Sequence, residues 1–504
     1  MPPPSSHPSA IELETVKRSS VRAGAVTLSA QFASLAIHLL GTVLLARLLS
    51  PADFGLMAMA LAFTAFAGLF RDLGLSTATV QREQLSEAQT NALFWLNVAS
   101  GAALSLLTVL IAPLVANFYG RPEVRGLLWA LAPVFLLGGL GAQPGALLQR
   151  QMRFGRKVTA ELAGAVAGLL VSVLAAWRGL GYWSLAAGAV AGAATTALLM
   201  LALSPLRLAR PARSGGLREM LGFGGHVTAF EFINYFHRNL DQILIGRQLG
   251  AEMLGYYSRA YQLLMLPITN LRAPLTAVAL PALSRLRREP ASFRTYYLRI
   301  TRVMAYASMP LVAGLFVLAP PLIRVVMGPG WDEVVPIFRA LAMAALVQPV
   351  ATLRGVVTLS TGRGADYLKL GIINAVGACI AFVVGLPYGP LGVALCYSAV
   401  NYLLLWPTLG VAFAGTEIRR RDFFRTIARP ALASVATAAL LMLPIVQQAL
   451  PASALATLLI GAPAFALLWF GVLLLLGGRA DLVDLLAMLK LLRRDRAGRK
   501  EQRA

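Results

Sequence analysis

The sequence predicts an all-α integral membrane protein, and three observations support this fold class. Of the 504 residues, 58% are apolar and only 13% are charged, which gives a mean hydropathy of +0.69. Apolar segments recur along the chain that are long enough to cross a bilayer, which takes about 20 residues each. Basic residues are concentrated in alternate loops between these segments, as the positive-inside rule describes for membrane proteins.

This composition excludes several other classes of protein. A soluble globule of this size could not bury so much apolar surface, and no long polar block is available to build a soluble enzyme domain. The two cysteines, Cys379 and Cys396, lie in apolar runs and indicate neither a disulfide nor a metal framework. The four histidines lack the spacing of metal ligands. We therefore expect no metal site and no cofactor.

Hydropathy predicts about fourteen spanning helices, with a Pro- and Ser-rich disordered cytoplasmic tail before them at residues 1–20. The predicted spans are residues 24–48, 54–78, 91–115, 126–148, 158–177, 182–203, 220–246, 255–280, 295–319, 334–359, 367–386, 391–414, 428–448 and 453–476. The first twelve form two six-helix lobes, and helices 13 and 14 are an addition to the second lobe. The predicted domains are an N-lobe at 21–204, a cytoplasmic linker at 205–218, a C-lobe at 219–414, helices 13 and 14 at 415–478 and a basic cytoplasmic tail at 479–504.

The formal net charge of +23 follows from this topology. When the N-terminus is placed in the cytoplasm, most of the basic residues fall on the cytoplasmic side, and so does the C-terminus. The charge therefore indicates orientation and contact with anionic lipid headgroups. It does not indicate nucleic-acid binding, because no aromatic residues are interleaved with the basic ones.

A short internal repeat predicts how the lobes are related. Residues 46–55 read ARLLSPADFG and residues 246–255 read GRQLGAEMLG, which share an Arg, a Leu and a final Gly at equivalent positions. Six predicted spans separate the copies, and this even number gives both copies the same sidedness. We therefore predict two lobes related by a pseudo-two-fold axis along the membrane normal, with a substrate site between them.

Ionisable residues within the predicted spans are functional candidates, because each costs several kcal/mol unless it faces protein or water. Arginine predominates among them. Glu231 and Arg238 lie deep in helix 7, and Arg238 and Asp241 are three residues apart on one helix face, where they can pair. One interpretation is a buried structural network. The other is a wet cavity in which arginines hold a phosphate-rich ligand and Glu231 or Asp241 binds a coupling ion.

Four segments also carry a family resemblance: ARLLSPADFGLMA (46–58), FRDLGLSTATVQRE (70–83), NLDQILIGRQLGAEMLGYYSRAYQL (239–263) and LPALSRLRRE (280–289). They resemble the polysaccharide transporter branch of the MOP superfamily, the Wzx-type lipopolysaccharide and exopolysaccharide flippases of bacterial inner membranes. The resemblance implies a cavity lined by helices 1, 2, 7 and 8. It also implies translocation of an undecaprenyl-diphosphate-linked oligosaccharide from the cytoplasmic to the periplasmic leaflet, coupled to an ion gradient.

For such a cargo, a cationic cavity would supply the counter-charge of the diphosphate while the polyprenyl tail stays in lipid. The expected head-group contacts are Arg71, Arg238, Arg272, Arg302 and Arg354. Arg47 and Arg247, which match each other in the repeat, are expected at the interface between the lobes. The expected partners are the lipid-linked oligosaccharide, membrane lipids and polysaccharide polymerase or assembly proteins, and no nucleic acid.

Two alternatives remain open from the sequence. An ion-coupled multidrug-type exporter of the same superfamily would need a carboxylate-lined cavity for cationic drugs, whereas arginine predominates here. A membrane polysaccharide polymerase or ligase would need a catalytic acid or base in a sizeable outer loop. The longest such loop, near 320–333, carries only Asp332 and Glu333. We therefore expect a transporter and not an enzyme.

Overall fold

The computed structural model describes residues 10–68, 79, 86–209, 217–443, 451, 453–479 and 481, with side chains described from residue 29 and again from residue 239 after the linker. All regular secondary structure within this part of the chain is helical. The chain divides into two compact units, which we call unit 1 (Met1–Gly255) and unit 2 (Tyr256–Ala504).

Unit 1 contains seven described helices and the first part of an eighth. They are α1 (Ala10–Leu48), α2 (Pro51–Gly68), α3 (Glu87–Tyr119), α4 (Glu123–Leu131), α5 (Pro133–Arg150), α6 (Phe154–Trp177), α7 (Trp183–Leu203) and α8 (Leu217–Leu286). The helical path of α8 is broken at Gly250, which has a φ of 87°. Glycine reaches this left-handed region without the steric penalty that a Cβ would bring.

Unit 2 contains the rest of α8 and eight further described helices. They are α9 (Pro290–Val317), α10 (Ala319–Val326), α11 (Val334–Ala351), α12 (Leu353–Ser360), α13 (Gly364–Gly385), α14 (Gly389–Phe413), α15 (Arg420–Leu441) and α16 (Ala454–Leu475). A short 3₁₀ turn, Leu386–Tyr388, joins α13 to α14.

The described residues include eleven helical segments that are long and apolar enough to cross a membrane. Two of them, Asn239–Leu286 and Gly364–Phe413, are 48 and 50 residues long, which is more than twice the length of about 20 residues that one crossing requires. The predicted all-α, multi-pass class is confirmed. The count of fourteen spans and the two six-helix lobes remain predictions.

The boundary between the units does not coincide with the predicted linker at 205–218. It follows Gly255, the last residue of the second copy of the repeat, because residues 246–255 pack closely on α2. The units are therefore not the same as the predicted lobes, and the lobes remain a prediction.

Helices α6 and α7 of unit 1 pack through small residues. A Cβ at Gly164 would overlap the Thr196 hydroxyl, and a Cβ at Gly188 would overlap the Ser172 hydroxyl. Between membrane helices the hydrophobic effect contributes little to association, so close backbone approach through small residues takes its place. Close packing through glycine also occurs between α13 and α14 of unit 2, where a Cβ at Gly385 would lie 2.6 Å from the carbonyl oxygen of Gly392.

The segment of chain that follows α7 is hydrogen-bonded to α3. The backbone N–H of Ala209 donates to Oδ1 of Asn91 at 2.8 Å, and Nε1 of Trp95 donates to the carbonyl of Ala209, also at 2.8 Å. Asn91 is 5% exposed. The start of the predicted linker is thus held by two hydrogen bonds to one helix.

Polar contacts join the helix ends of unit 2. Arg363 donates to the carbonyls of Val411 and Ala412 at the end of α14, where a cation is also favoured by the helix dipole. Nε of Arg294 lies 3.0 Å from Oδ2 of Asp422. The hydrogen bond from Arg294 holds the pKa of the Asp422 carboxyl below its ordinary value. These contacts fix the loops that flank α14 and α15.

Replacing Asn91 by Ala should release the chain at Ala209. Losing one hydrogen bond costs about 1 kcal/mol, so the open form should become about fivefold more populated and trypsin should cleave about fivefold faster after Arg207 or Arg213. Peptide mapping of the purified protein measures this rate. Asn401→Ala is the control, because the Asn401 side chain donates within its own helix, α14, to the carbonyl of Tyr397. Equal cleavage rates in the two variants would show that Asn91 does not hold the chain at Ala209.

Candidate functional site

The structure describes only part of the predicted set of charged residues. Arg71 lies outside the described residues. Glu231 and Arg238 lie on α8, but their side chains are outside the described part of the chain. The described members of the predicted head-group set all belong to unit 2: Arg272, Arg302 and Arg354. These three arginines differ in how their charge is compensated.

Arg272 is the predicted contact with the least compensation. It lies on α8 and is partly exposed. Its backbone carbonyl accepts a hydrogen bond from the Thr276 hydroxyl at 3.1 Å. Its guanidinium group forms no hydrogen bond or ion pair with any described residue. All of its side-chain donors are therefore available to a ligand.

Arg302 belongs to a cluster around one carboxylate. Its Nη1 lies 3.5 Å from Oδ1 of Asp481. Oδ2 of Asp481 accepts hydrogen bonds from the Tyr306 hydroxyl at 2.8 Å and from Nη1 of Arg429 at 2.9 Å. Partial burial alone would raise the pKa of the Asp481 carboxyl, but the bonds from Arg429 and Tyr306 and the charge of Arg302 bring this pKa below its ordinary value. The charge of Arg302 is therefore already shared with a carboxylate.

Arg354 is held by neutral groups. Nη1 donates to the Thr408 hydroxyl at 2.9 Å, and Nη2 donates to Oδ1 of Asn374 at 2.8 Å. Thr408 is fully buried, and Arg354 and Asn374 are partly buried. These bonds tie α12 to α13 and α14 and orient the guanidinium group, but they leave its positive charge uncompensated.

Asp241, a predicted ion-coupling residue, is a buried carboxylate of unit 1. It is 5% exposed, and its Oδ1 accepts a hydrogen bond from the backbone N–H of Gln242 at 2.8 Å. Its predicted pairing with Arg238 involves a side chain outside the described part of the chain. The role of Asp241 in ion coupling stays a prediction from the sequence.

The two copies of the repeat contact each other reciprocally. A Cβ at Gly55 would overlap the carbonyl oxygen of Ala251 and lie 2.5 Å from its carbon, and a Cβ at Gly255 would overlap the carbonyl oxygen of Pro51 and lie 2.6 Å from its carbon. Gly55 of the first copy therefore contacts Ala251 of the second. The equivalent residues with the copies exchanged, Gly255 and Pro51, contact each other in the same way. Such reciprocity is the property of a contact across a two-fold axis. The repeat segments are thus paired with local two-fold pseudosymmetry.

The two arginines of the repeat flank this contact in sequence, and both side chains are exposed. The guanidinium carbon of Arg247 lies 5.7 Å from the centre of the Phe118 ring, within reach of a cation–π interaction. Phe118 is on α3, so Arg247 also joins the second repeat copy to a neighbouring helix of unit 1. The predicted role of Arg47 and Arg247 at an interface between lobes stays a prediction.

Sequence reasoning missed the hydrogen-bond and ion-pair partners of Arg302 and Arg354. Asp481 stands at the start of the basic C-terminal segment, and its position after α16 gives no signal of a bond to Arg302. Asn374 and Thr408 are neutral residues within apolar helices, and only the alignment of α12, α13 and α14 brings them to Arg354. In the described part of the chain, no group of three His, Cys, Asp or Glu residues could hold a metal ion.

Comparison with known proteins adds a family and relatives. The profile of the family described as "Polysaccharide biosynthesis protein" matches residues 44–336. The teichuronic acid biosynthesis protein TuaB of Bacillus subtilis is 29% identical over 74% of this chain and 78% of its own. The lipopolysaccharide biosynthesis protein WzxC of Escherichia coli is 25% identical, covering 75% and 79%. The succinoglycan biosynthesis transport protein ExoT of Rhizobium meliloti is 27% identical, covering 71% and 72%.

Solved structures show the fold. The structure of the lipid II flippase MurJ in an inward closed conformation superposes with a TM-score of 0.72, covering 92% of this chain and all of that one at 14% identity. An inward-facing multidrug resistance MATE transporter of the MOP superfamily gives a TM-score of 0.61, covering 80% and 98% at 15% identity. At such identities the similarity establishes an MOP-type fold alone.

Replacing Gly55 by Ala should force the repeat segments apart. The added methyl group overlaps backbone, which cannot rotate away, so we expect an overpacking cost of about 1–3 kcal/mol. The apparent Tm of the purified protein in detergent should fall by several degrees, and Gly255→Ala should have a similar effect. Gly68→Ala is the control on α2, because a Cβ there meets nothing within 4 Å. A Tm for Gly55→Ala equal to that of Gly68→Ala would refute the close contact.

Replacing Asp481 by Asn should loosen the C-terminal segment. The change leaves Arg302 and Arg429 facing one another without a carboxylate, which should cost about 1–2 kcal/mol because both arginines are partly solvated. Since the pKa of Asp481 is lowered, the wild-type contact should persist at neutral pH and weaken only as the pH falls through that lowered pKa. Hydrogen exchange of residues 473–481 reports the loosening. Asp332→Asn, in an exposed pair with Arg324 at 3.8 Å, should leave exchange there unchanged.

Proposed function

Because the chain belongs to the polysaccharide biosynthesis protein family, we propose that it is a flippase for undecaprenyl-diphosphate-linked oligosaccharides. It moves repeat units from the cytoplasmic to the periplasmic leaflet for lipopolysaccharide or exopolysaccharide synthesis. The movement follows an alternating-access cycle of a cationic central cavity. The main support is the family match together with relatives that are named for polysaccharide biosynthesis and transport.

Coarser statements about the protein do not depend on this proposal. It is a multi-pass membrane protein of the transporter type and not an enzyme. Its relatives and structural neighbours are likewise transport proteins. MurJ, whose fold it shares, is named a lipid II flippase. That name supports a lipid-linked saccharide as the cargo of this chain, while the sugar itself stays undetermined.

The physics of the cargo explains why a cationic passage is needed. The polyprenyl tail can remain in hydrocarbon throughout. The sugars and the diphosphate cannot, because each polar group without a hydrogen-bond partner costs several kcal/mol there. A water-filled passage with guanidinium groups solvates the head and supplies counter-charge, since the planar donors of arginine match phosphate oxygens. It must bind the head weakly enough to release it on the other side.

Among the described candidates, Arg272 fits the role of head-group ligand best. Its guanidinium group has no described partner and is partly exposed, so binding a diphosphate would break no existing bond. Arg71 and Arg238 remain proposed contacts. The bonds of Arg302 to Asp481 and of Arg354 to Asn374 argue against direct contact with the head group, because the cargo would have to displace those partners.

The reciprocal repeat contact suggests how one end of the passage closes. Gly55 and Gly255 let two backbone segments pack directly against each other without side chains between them. Such a contact closes the passage tightly, and few side-chain interactions must break when it opens. In the proposed cycle this contact separates when the opposite side closes. Glu231 or Asp241 is the proposed site of the coupling ion.

The remaining parts of the proposal concern location and partners. We place the protein in a bacterial inner membrane with both termini in the cytoplasm, and polysaccharide polymerase or assembly proteins would receive the flipped product. A multidrug-type exporter has only the shared fold in its favour. The predominance of arginine over carboxylates in the predicted spans disfavours a cationic drug as cargo.

Deletion of the gene tests the function directly. The lipid-linked oligosaccharide should accumulate in the cytoplasmic leaflet, as measured by leaflet-resolved labelling of its sugars. Normal sidedness with unextended chains would point instead to a polymerase. A drug-sensitive strain with normal sidedness and normal chains would point to an exporter.

Replacing Arg272 by Ala should slow transport of a fluorescent lipid-linked oligosaccharide in proteoliposomes by about 10- to 100-fold. This follows because a hydrogen bond to a charged group contributes about 1.5–3 kcal/mol. Arg272→Lys should retain part of the rate, since it keeps the charge but loses the planar donors. Arg324→Ala is the control, because Arg324 is an exposed arginine of the same unit. Wild-type rates in both Arg272 variants would exclude Arg272 from the passage.

A further inference from the structure

Helix α15 carries a stripe of arginines on its exposed face. Arg421, Arg425 and Arg429 are all exposed and follow one another at intervals of four residues, so they lie on one side of the helix. Three residues further along the same side comes an apolar side chain, Leu432, which is 59% exposed. Arg429 is already bound to the carboxylate of Asp481 at 2.9 Å. The first two arginines of the stripe are therefore the ones available to a ligand.

The charges of Arg421 and Arg425 are not compensated within the described part of the chain. Their guanidinium groups form no hydrogen bond or ion pair with any described residue. The carboxylate of Asp422 is engaged by Nε of Arg294 at 3.0 Å, and Glu417 lies before the helix begins. Residues four apart on a helix have Cβ atoms about 5–6 Å from each other. The two long side chains can therefore converge on one anionic group.

An exposed tryptophan stands at the same level on the neighbouring helix. Trp406 of α14 is 51% exposed, and its ring stacks on Phe424 of α15 with ring centres 5.6 Å apart. The guanidinium carbon of Arg420 lies 5.1 Å from the centre of the Trp406 ring. Tryptophan is enriched at membrane–water boundaries, because its ring is apolar and its N–H is polar. The position of Trp406 thus indicates that the arginine stripe lies at the level of lipid headgroups.

We infer that Arg421 and Arg425 bind the phosphate of an anionic phospholipid of the phosphatidylglycerol class, with its acyl chains along Leu432 and Val435. The planar donors of arginine match phosphate oxygens. Val435 is 54% exposed and continues the apolar part of the face, which a soluble anion would leave unused. The combination of a basic and an apolar half therefore favours a lipid. This inference goes beyond transport of the oligosaccharide and does not depend on it.

Lipid titration of the purified full-length protein in detergent tests the site. Native mass spectrometry counts the phosphatidylglycerol molecules that stay bound and yields the Kd of the first one. Phosphatidylcholine is the neutral comparison, because its choline group balances the charge of its phosphate. Phosphatidylglycerol should bind at least about tenfold more tightly than phosphatidylcholine, since two basic residues attract the anionic headgroup.

Variants test whether these two arginines form the site. Arg421→Gln and Arg425→Gln should each weaken phosphatidylglycerol binding about fivefold, and the double variant should weaken it about 25-fold. The matched control combines Arg285→Gln with Arg288→Gln, which removes two charges from an exposed segment of the same unit next to Glu289. This control should leave the Kd of the first lipid at the wild-type value.

Brominated phosphatidylglycerol locates the bound lipid, because bromine quenches the fluorescence of a tryptophan that it contacts. The difference in quenching between the wild type and Trp406→Phe isolates the signal of Trp406. This signal should be quenched more by brominated phosphatidylglycerol than by brominated phosphatidylcholine. The Arg421 and Arg425 double variant should lose the difference between the two lipids.

Three outcomes would overturn the proposal. Equal weakening in the Arg421 and Arg425 double variant and in the matched control would show a diffuse attraction to the whole basic surface. Displacement of the lipid by inorganic phosphate at equal concentration would identify a site for a soluble phosphate. Tighter binding of undecaprenyl diphosphate than of phosphatidylglycerol at the two arginines would identify a docking site for the cargo lipid instead.

Discussion

The central constraint on this protein is that a guanidinium group within an apolar helix bundle needs either acceptors or water. The described arginines meet this constraint in different ways. Arg302 shares the carboxylate of Asp481, and Arg339 donates from Nε to the carbonyl of Phe316 at 3.1 Å and lies against that ring. Arg354 relies on an amide and a hydroxyl. Arg272 has no described partner. The type of compensation separates arginines that hold the fold together from those available to a ligand.

Close backbone contact is the second organising feature, and it serves two purposes. Between α6 and α7 it gives stable packing, because glycine and small hydroxyl residues allow many van der Waals contacts where the hydrophobic effect contributes little. Between the repeat copies it joins Gly55 to Ala251 and Gly255 to Pro51. In the proposed transport cycle the second contact opens, and a contact made mainly of backbone leaves few side-chain interactions to break.

Much of the protein could be predicted from local sequence, because hydropathy and charge bias act on each segment separately. The all-α, multi-pass class follows from these patterns, and the family resemblance rests on four specific segments of the sequence; both are confirmed. The repeat was visible as a ten-residue pattern. The unit boundary after Gly255 was not predictable, since it depends on how tightly residues 246–255 pack on α2.

The sequence alone therefore determined the all-α, multi-pass class and where charge is exceptional within apolar segments, since both depend on the composition of each segment by itself. Only the tertiary structure decided which charges are compensated. Asp481, the partner of Arg302, lies 179 residues further along the chain. Asn374 and Thr408, the partners of Arg354, lie 20 and 54 residues away. No local sequence pattern encodes such pairings. Hydrogen bonds depend on distances of about 3 Å and on direction, which only the packed helices define.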